Sequence, residues 1–568
     1  MDGPGFSPEQ QNYLKGFMAG VEARRGALAP PGEGGAPPDA LRAAQDRTIV
    51  EGGTLVPQEA AKREKHPLDR WDEITQRAEA GVFPKPLEDF AGRYHGLFFV
   101  GPAQDAFMCR LRIPGGILRA DQAREVASIA QECGGGYVDV TTRANLQIRM
   151  IPAERAAEVV MRLGEIGLLP RGAGADNVRN ITASPTVGID RNEWVDTRPI
   201  VRALHHHILN TRDLFGLPRK FNISLDGGGS VGVLEETNDI ALSVVRIGEE
   251  FRFRLGLGGI TGHRDLATAS DVALLPSEIV KACDAILRVF VAHGDRTDRK
   301  KARLKYLLDR WGHARFLEEV EAVLGAKLPR FDVAAMQRPP ATDRLAHVGV
   351  HAQRQEGLSY LGVVATAARI HADQLRGLAE IAQRHGNGEL RLTVWQNLLI
   401  PCVGNIPAAL DALHEIGLTT DASSLRAGLV ACTGSVGCKF AAADTKGDGQ
   451  QILAYLEGRI ALDVPLNIHL TGCHHSCAQH YIADIGLLGA KVERGEEMLS
   501  GYDIHVGGGS GAGAKIGRLI RPAVLAEEVP LLLLNLLRRY RDARAPEEGF
   551  QAFCARHEDA ALAGMLDA

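Results

Sequence analysis

A long internal repeat decides how this chain folds. Residues 119–148 read RADQAREVASIAQECGGGYVDVTTRANLQI, and residues 371–400 read HADQLRGLAEIAQRHGNGELRLTVWQNLLI. Aligned without a gap, fourteen of the thirty positions are identical, which indicates a duplication. Each copy predicts a helix, a glycine-containing turn and two strands. A further strand precedes each helix, AFMCRLRI in the first copy and LSYLGVVA in the second.

The correspondence continues beyond these thirty residues. ITASPTVG at 181–188 is similar to VACTGSVG at 430–437, and FNISLDGG at 221–228 is similar to LNIHLTGC at 466–473. The chain from about 95 to 510 is therefore two versions of one α/β unit. We expect such duplicated units to pack about a pseudo-twofold axis, with a shared ligand between them.

The composition predicts a globular protein without a membrane segment. The 568 residues are 45% hydrophobic and 24% charged, which indicates several domains, and a net charge of −5 argues against a nucleic-acid partner. The N-terminus has no basic stretch followed by an apolar run, and the apolar run LLLLNLL at 531–537 is too short to cross a bilayer. Nine cysteines, an odd number, favour a reducing compartment over a disulfide scaffold. We therefore expect a cytoplasmic protein.

The N-terminal region differs in composition from the repeats. Residues 7–25, SPEQQNYLKGFMAGVEARR, predict a helix that begins at a Ser7 cap. Residues 27–40, ALAPPGEGGAPPDA, have the Pro- and Gly-rich composition of a flexible linker. The globular structure is expected to begin near residue 66.

Four cysteines distinguish the second copy of the repeat from the first. They have the spacing C-x5-C, then 34 intervening residues, then C-x3-C, and they are Cys432, Cys438, Cys473 and Cys477. Four thiolates can hold a [4Fe–4S] cluster or a tetrahedral zinc ion. Zinc knuckles usually have C-x2-C or C-x4-C spacing, so the spacing favours the cluster without excluding zinc. The five other cysteines are scattered and are expected to be buried structural thiols.

The first copy instead carries basic and amide side chains at strand ends and turns. A solvated basic edge would explain one such segment, but four segments in the same half favour an anion site. The residues concerned are Arg110, Arg112, Arg143, Gln147, Arg149, Arg179, Arg219 and Lys220. Such a site would suit a polycarboxylate cofactor, a small oxyanion substrate, or both.

Several of these segments resemble one known family. The chain is similar to the ferredoxin-dependent nitrite and sulfite reductases, which carry sirohaem beside a [4Fe–4S] cluster, and most of all to the bacterial assimilatory nitrite reductases. The segments that carry the resemblance are FMCRLRIPGG, TTRANLQIR, DNVRNITASP, LPRKFN, ACTGSVGCKF and TGCHHSCAQH. The family also has an internal duplication, in agreement with the repeat.

The resemblance implies a role for each matching residue. Cys432, Cys438, Cys473 and Cys477 would bind the cluster, and Cys477 would also be the axial ligand of the sirohaem iron. Residues that would contact the substrate anion are Arg110, Arg179, Lys220 and Asn222. Residues that would hold the carboxylates of the macrocycle are Arg112, Arg143, Gln147, Arg149, Arg219, Arg303 and Lys305.

The resemblance also implies an α/β (α+β) fold with two ferredoxin-like half-domains and two cofactor-binding domains. The expected segments are 1–65 for the N-terminal helix and linker, 66–160 and 341–415 for the half-domains, 161–340 for the first sirohaem-binding domain, and 416–568 for the [4Fe–4S]/sirohaem domain.

One position bears on the substrate. Sulfite reductases of this family have two lysines as K-x-K where this chain has Lys220, Phe221 and Asn222, a pattern that resembles the nitrite-reducing branch. The resemblance implies six-electron reduction of nitrite to ammonium with electrons from ferredoxin or flavodoxin. The alternatives are a sulfite reductase, a precorrin-3B synthase, which Ala144 in TTRANLQ also fits, and an iron–sulfur or zinc protein with a scaffolding role.

Overall fold

The N-terminal part of the globular structure begins earlier than the sequence predicts. The computed structural model describes residues 39–567, so the helix predicted at 7–25 lies outside the described residues. Helix α1 (Ala40–Val50) packs on a later helix, α8 (Ile279–His293), and α2 (Pro57–Glu64) follows it. Gln45, Glu59 and Lys62 on these two helices are buried. The expectation that globular structure starts near 66 is therefore wrong, because polar side chains of this segment enter the interior.

The two copies of the repeat form two five-stranded antiparallel sheets that exchange an edge strand. The first sheet has the order β1-β2-β5-β4-β13, with strands β1 (Leu97–Phe99), β2 (Phe107–Arg110), β4 (Tyr137–Thr141), β5 (Asn145–Ile151) and β13 (Arg369–His371). The second has the order β11-β12-β15-β14-β3, with strands β3 (Ile117–Arg119), β11 (Gly349–Ala352), β12 (Ser359–Val363), β14 (Glu389–Leu392) and β15 (Leu398–Val403). Strand β13 pairs with β4, and β3 pairs with β14, so each copy completes the sheet of the other.

The identical residues of the repeat explain the helix of each copy. Helix α5 (Ala120–Cys133) and helix α11 (Ala372–His385) pack on each other. Gln122 accepts a hydrogen bond from the backbone N–H of Arg119, and Gln374 does the same for His371, which caps the two helices. Gly136 and Gly388 both have a positive φ in the turn that follows, a conformation that favours glycine. The predicted helix, turn and strands are confirmed in both copies.

Two further five-stranded sheets are mixed. Strands β6 (Val178–Ala183), β7 (Phe221–Asp226), β8 (Ile240–Ile247), β9 (Glu250–Leu257) and β10 (Thr268–Leu274) form the third sheet. Strands β16 (Leu429–Ala431), β17 (Ile468–Thr471), β18 (Ile485–Arg494), β19 (Glu497–Val506) and β20 (Arg518–Leu525) form the fourth. In each sheet the first three strands are parallel, and each of the last two runs antiparallel to the strand before it, so the two sheets have the same topology.

The remaining helices cover these sheets. They are α3 (Trp71–Glu79), α4 (Pro86–Gly92), α6 (Ala156–Glu165), α7 (Arg198–Asn210), α9 (Leu304–Trp311), α10 (His313–Leu324), α12 (Ile406–Glu415), α13 (Ser424–Ala427), α14 (Thr445–Glu457), α15 (Val529–Ala543), α16 (Phe550–Ala555) and α17 (Asp559–Gly564). The His205–His207 run lies on α7. Within residues 39–567, no helix has the length and apolar character needed to cross a membrane.

The hydrophobic cores follow this organisation. One core runs through the two strand-exchanging sheets and includes α5 and α11, while the third and fourth sheets each have a core of their own. The two mixed sheets also contact each other through equivalent loops. The N–H of Gly511 donates to the Glu236 carboxylate at 3.1 Å, and the Arg264 guanidinium lies over the Tyr481 ring. The prediction of a pseudo-twofold arrangement of two α/β units is thus confirmed.

Candidate active site

Two parallel strands bring the four cysteines of the second copy together. Cys432 follows β16 directly and Cys473 lies two residues beyond β17, and the carboxyl ends of neighbouring parallel strands lie at the same edge of a sheet. Burial raises the pKa of the Cys473 thiol to about 12, and the thiols of Cys477, Cys438 and Cys432 act in the same direction. Each of the three is therefore an electrostatic neighbour of Cys473.

Backbone and side-chain donors surround these sulfurs. The N–H of Gly472 donates to the Cys432 sulfur at 3.2 Å, and the Thr445 hydroxyl donates to the Cys432 carbonyl at 2.8 Å. The Cys473 sulfur and His475 Nδ1 are 3.3 Å apart. Hydrogen bonds to thiolate sulfurs of this kind tune the potential of an iron–sulfur cluster.

The sulfurs do not converge on a single point. In the part of the chain that the structure describes, no three His, Cys, Asp or Glu side chains are close enough to bind one metal ion. The geometry of the thiols by itself leaves both alternatives, the [4Fe–4S] cluster and the zinc ion, open.

Cys477 faces cationic residues from the first copy. Its carbonyl accepts a hydrogen bond from the Thr142 hydroxyl at 2.9 Å, which joins the two copies at this point, and its side chain is exposed. Burial lowers the pKa of Arg110 and of Arg143 to about 10, and the Cys477 thiol opposes both shifts. The same thiol opposes the lowered pKa of Lys220. Three of the predicted site residues therefore lie near the fourth cysteine.

Arg110, Arg179 and Lys220 form a group of half-buried cations. Burial lowers the pKa of Lys220 and of Arg179 well below their usual values, and neighbouring cations lower them further. None of the three forms an ion pair with a carboxylate among residues 39–567. The Arg179 Nε is buried without a hydrogen-bond partner there. Buried charges are normally paired, so this group fits an anionic ligand.

Two carbonyl oxygens accept hydrogen bonds from Arg110 and Arg179, and one carboxylate fixes the strand that begins beside Lys220. Arg110 donates to the Ala173 carbonyl at 3.4 Å, and Arg179 donates to the Ala175 carbonyl at 3.2 Å. The backbone N–H of Asn222 donates to the Asp239 carboxylate at 2.8 Å, which fixes the strand that carries Lys220 and Asn222. All four residues predicted to contact the anion thus lie at the ends of strands in the first half of the molecule.

Arg143 is held by the connection between β7 and β8. Its guanidinium donates to the Thr237 hydroxyl and carbonyl, both at 3.1 Å, and to the Asn238 side chain at 2.6 Å. Gln479 of the second copy donates to the same Thr237 hydroxyl at 2.9 Å. The loop that carries Cys477 and the loop that orients Arg143 are therefore joined. Thr142, Thr237 and Gln479 carry no sequence signal that would have singled them out.

Arg149 donates hydrogen bonds to Gln147 and to the loop between Cys432 and Cys438. Arg149 donates to the Gly437 carbonyl at 2.7 Å, to the Thr433 hydroxyl at 3.3 Å and to the Gln147 side chain at 3.0 Å. Its donors therefore support the loop between Cys432 and Cys438, and Gln147 serves as one of its acceptors. The expectation that Arg149 and Gln147 hold carboxylates of the macrocycle stays a prediction.

Arg112, Arg303 and Lys305 are also engaged by the protein. Arg112 donates to the Val178 carbonyl and to His205, and one of its nitrogens is buried with no partner in the described chain. Arg303 forms a buried double hydrogen bond with Asp239. Lys305 pairs with Asp265 and Asp309 at the surface. Arg303 and Lys305 are thus paired with carboxylates, whereas Arg112 keeps one donor without a partner in the described chain, and the predicted contacts of all three with the macrocycle stay predictions.

Sequence reasoning missed a buried ionic cluster behind the site. Asp176 is fully buried, and its carboxylate is shared by Arg299 at 2.7 Å, Lys62 at 3.1 Å and Arg219 at 3.8 Å. In residues 295–305, Arg296, Arg299 and Arg303 likewise turn inward to carboxylates. The only local signal was the position of Asp176, three residues before Arg179.

Comparisons with known proteins agree with this arrangement. The model of the nitrite and sulphite reductase 4Fe-4S domain matches residues 174–328 and 423–552. The model of the nitrite/sulfite reductase ferredoxin-like half domain matches residues 101–166 and 351–416. Each model thus matches once in each copy, which confirms the expected half-domains and the duplicated fold.

Individual relatives match over nearly their whole length. The chain is 35% identical to a ferredoxin–nitrite reductase of Leptolyngbya laminosa, over 84% of this chain and 98% of the relative. It is 36% identical to a ferredoxin–nitrite reductase of Synechococcus elongatus, over 84% and 95%. The solved structure of the Mycobacterium tuberculosis NirA protein superposes with a TM-score of 0.83 at 28% identity, covering 91% of this chain and 99% of that one. From its duplicated domains to its cysteine loops, this chain belongs to the nitrite and sulphite reductase family.

Proposed function

We propose that this protein is a ferredoxin-dependent nitrite reductase that converts nitrite to ammonium with sirohaem and a [4Fe–4S] cluster. One observation carries the proposal: the unpaired cations of the first copy meet the cysteine loops of the second copy at Cys477. A candidate cluster ligand, Cys477, thus lies beside a candidate anion-binding pocket. The curated relatives named above are ferredoxin–nitrite reductases, which supports the same reaction.

The residues present fit the two cofactors. Cys432, Cys438, Cys473 and Cys477 would bind the cluster, and Cys477, whose sulfur is exposed, would also reach the sirohaem iron. Arg143 and the free nitrogen of Arg112 would hold carboxylates of the macrocycle, with Arg219 on the same side. The cofactors supply the electron transfer, six electrons for each nitrite.

The side chains of the pocket bind the anion and move protons. Arg110 and Arg179 would stabilise negative charge on the nitrite oxygens, because their guanidinium groups are desolvated and have no carboxylate partner among residues 39–567. Lys220 would donate protons, since burial and the neighbouring arginines lower the pKa of its ammonium group. Asn222, beside it, would contribute a neutral hydrogen-bonding group where a second cation would favour a dianion.

The partner and the setting follow from the same assignment. Electrons would arrive from a separate one-electron donor, ferredoxin or flavodoxin, near the cluster loops. A function in nitrate assimilation and a cytoplasmic location complete the proposal. An archaeal relative, from Haloferax mediterranei, is named an assimilatory ferredoxin-dependent nitrite reductase, and it is 30% identical over 87% of this chain.

Comparing nitrite with sulfite tests the proposal. We would measure kcat/KM for both anions under anaerobic conditions with reduced methyl viologen as the donor. A strong preference for nitrite supports the assignment. A preference for sulfite would contradict the interpretation of Asn222 and leave sulfite reduction, the second candidate, as the activity.

The variant Asn222→Lys examines that residue directly. Near neutral pH sulfite is largely a dianion and nitrite a monoanion, so a second cation beside Lys220 should raise kcat/KM for sulfite about ten-fold relative to nitrite. Asn222→Gln, which adds length without charge, is the matched control. An unchanged ratio in both variants would remove Asn222 from the selection of substrate.

A further inference from the structure

A basic cavity lies next to the proposed active site. Its volume is about 480 Å³, and its wall combines residues of the first half with the residue that follows Cys438. Cationic and aromatic side chains dominate the wall: Arg93, Arg219, Arg299, Lys439, Phe90 and Phe99. Of these, only Arg219 was among the residues predicted from the sequence.

The positive charge of this wall is only partly compensated. Behind the wall, Asp176 and Glu59 are shared by four cations, Lys62, Arg219, Arg296 and Arg299. Lys439 is exposed, and it forms no ion pair within residues 39–567. Asp89, which also lines the cavity, pairs with Arg93, but the six cations still outnumber the three carboxylates, so the cavity keeps an excess of positive charge. Such a field draws small anions inward.

The cavity adjoins the cations that would bind the substrate. The guanidinium groups of Arg93 and Arg110 lie 5.4 Å and 4.6 Å from the centroid of the Phe98 ring. Arg93 also lowers the pKa of Arg110, after the larger effects of burial and Cys477 are counted, and Arg219 lowers the pKa of Arg179 and of Lys220. Arg93 and Arg110 therefore contact the same ring, and Arg219 is an electrostatic neighbour of both Arg179 and Lys220.

We propose that this cavity is a vestibule for small oxyanions, which binds nitrite weakly and delivers it to the pocket of Arg110, Arg179 and Lys220. The inference rests on the proposed function and extends it to the route of the substrate. Asp176 is a positioning residue of the vestibule, because its carboxylate orients Arg219 and Arg299. The negative charge of Asp176 is neutralised by the several cations paired with it. Lys439 supplies charge at the surface.

Lys439 gives the sharpest test, because its exposed side chain can be replaced without disturbing the interior. The variants are Lys439→Gln and Lys439→Glu, with Lys491→Gln as the control for loss of one exposed lysine on β18. Association of nitrite with the oxidised holoenzyme is followed by the change in haem absorbance in a stopped-flow instrument, at low and at high salt. Nitric oxide, which is neutral, is the second probe in the same oxidation state. Because no turnover occurs, electron delivery does not enter the result.

We expect nitrite association at low salt to slow about three-fold in Lys439→Gln and about ten-fold in Lys439→Glu, since charges lining a cleft accelerate association by one to three orders of magnitude together. The differences should vanish at about 1 M salt, where the Debye length is about 3 Å. Nitric oxide association and the Lys491→Gln control should match the wild type.

Equal nitrite rates in all variants, or equal slowing of nitrite and nitric oxide, would overturn the vestibule while leaving nitrite reduction intact. A wild-type holoenzyme that neither binds nor reduces nitrite would overturn the proposed function itself.

Discussion

Lys220 is a lysine enclosed by other cations rather than by carboxylates. Arg303, Arg179 and Arg219 all lower the pKa of its ammonium group, in addition to the larger effect of burial. A lysine in such surroundings gives up a proton easily and regains it when an anion arrives. In Lys220→Met we expect kcat for nitrite to fall at least about 100-fold, the usual contribution of a positioned proton donor. The measurement is anaerobic turnover with reduced methyl viologen.

The haem spectrum separates this effect from loss of the cofactor. Met has a similar length and no charge, so the Soret absorbance of Lys220→Met should stay at the wild-type level per mole of protein. Lys491→Met, at an exposed position on β18, is the matched control. Wild-type turnover in Lys220→Met would remove this lysine from the reaction.

The sequence predicted the roles of single residues best where the residue type itself indicates the chemistry. The four cysteines and the pocket cations stand out because thiols at metal spacing and arginines at strand ends are unusual in themselves. The contacts of Arg149 and Asp176 with the rest of the protein could not be predicted, because their partners lie far away in the chain. The carbonyl of Gly437 accepts the hydrogen bond from Arg149. Lys62, which pairs with Asp176, lies in the N-terminal segment (residues 1–65) that was expected to be a helix and a linker. No local pattern records which distant group a buried charge will meet.

At the scale of elements, the loop between Cys432 and Cys438 depends on one arginine from β5. Arg149 is almost fully buried and donates to Gly437 and Thr433 of this loop. In Arg149→Met the buried Gly437 carbonyl loses its charged donor, at a cost of about 3 kcal/mol in the free energy of unfolding. We expect the variant to lose its cluster several-fold faster in air, followed as the decay of iron–sulfur absorbance.

Two further variants distinguish support of the loop from general destabilisation. Arg149→Lys should not restore the wild-type rate, because one ammonium group cannot reproduce the fork of donors. Arg155→Met, which removes an exposed arginine paired with Glu158 in the same half-domain, should leave the rate unchanged. If Arg149→Met kept its cluster as long as the wild type, the arginine would have no function in supporting the loop.

The connection between β7 and β8 carries carboxyl groups that favour the protonated form. Burial, together with repulsion from Glu235, raises the pKa of Asp226 to about 7 and that of Glu236 to about 8. In the unfolded chain both groups lose their protons near pH 4. Between about pH 4 and about pH 8 the folded protein therefore binds more protons, and its stability falls as the pH rises through this range.

We therefore expect the Tm to fall from about pH 5.5 to about pH 8.5, measured by calorimetry on the holoenzyme. Glu236→Gln should flatten this slope, since the amide oxygen can still accept the hydrogen bond from Gly511 and does not ionise. Glu249→Gln, exposed in the turn between β8 and β9, should keep the wild-type slope. Parallel slopes in all three proteins would show that Glu236 is ionised in the folded state.

For the whole molecule, the exchange of β3 and β13 makes each copy depend on the other. Sheets one and two share a single hydrophobic core, with α5 and α11 side by side within it. We expect residues 39–340 and residues 341–567, produced separately, to lack a cooperative thermal transition by circular dichroism. Produced together, they should recover the transition and the haem absorbance. A cooperative transition in residues 39–340 alone would contradict this dependence.

The duplication was visible in the sequence, but the strand exchange was not. The fourteen identical residues indicate that α5 and α11, with their strands, share one fold. Both copies need the same side chains because they form the same helix caps and turns. The edge strands β3 and β13 are three residues long, and the residues that pair, such as Leu118 with Leu390, are ordinary apolar residues. Pairing between distant segments depends on the packing of the whole molecule. The hydrophobic periodicity of one segment does not predict which distant strand it will pair with.

The exchanged strand has a consequence for synthesis on the ribosome. Ile117–Arg119 can pair only after residues 389–391 have been made, and translation at about 5–20 residues per second delays them by about 15–50 seconds. During this interval the nascent first half also lacks β13, so the edge of β4 is open to other chains. The yield of this enzyme therefore depends on whether the unfinished chain aggregates before its second half has been made. Chaperones that shield the growing chain should raise that yield.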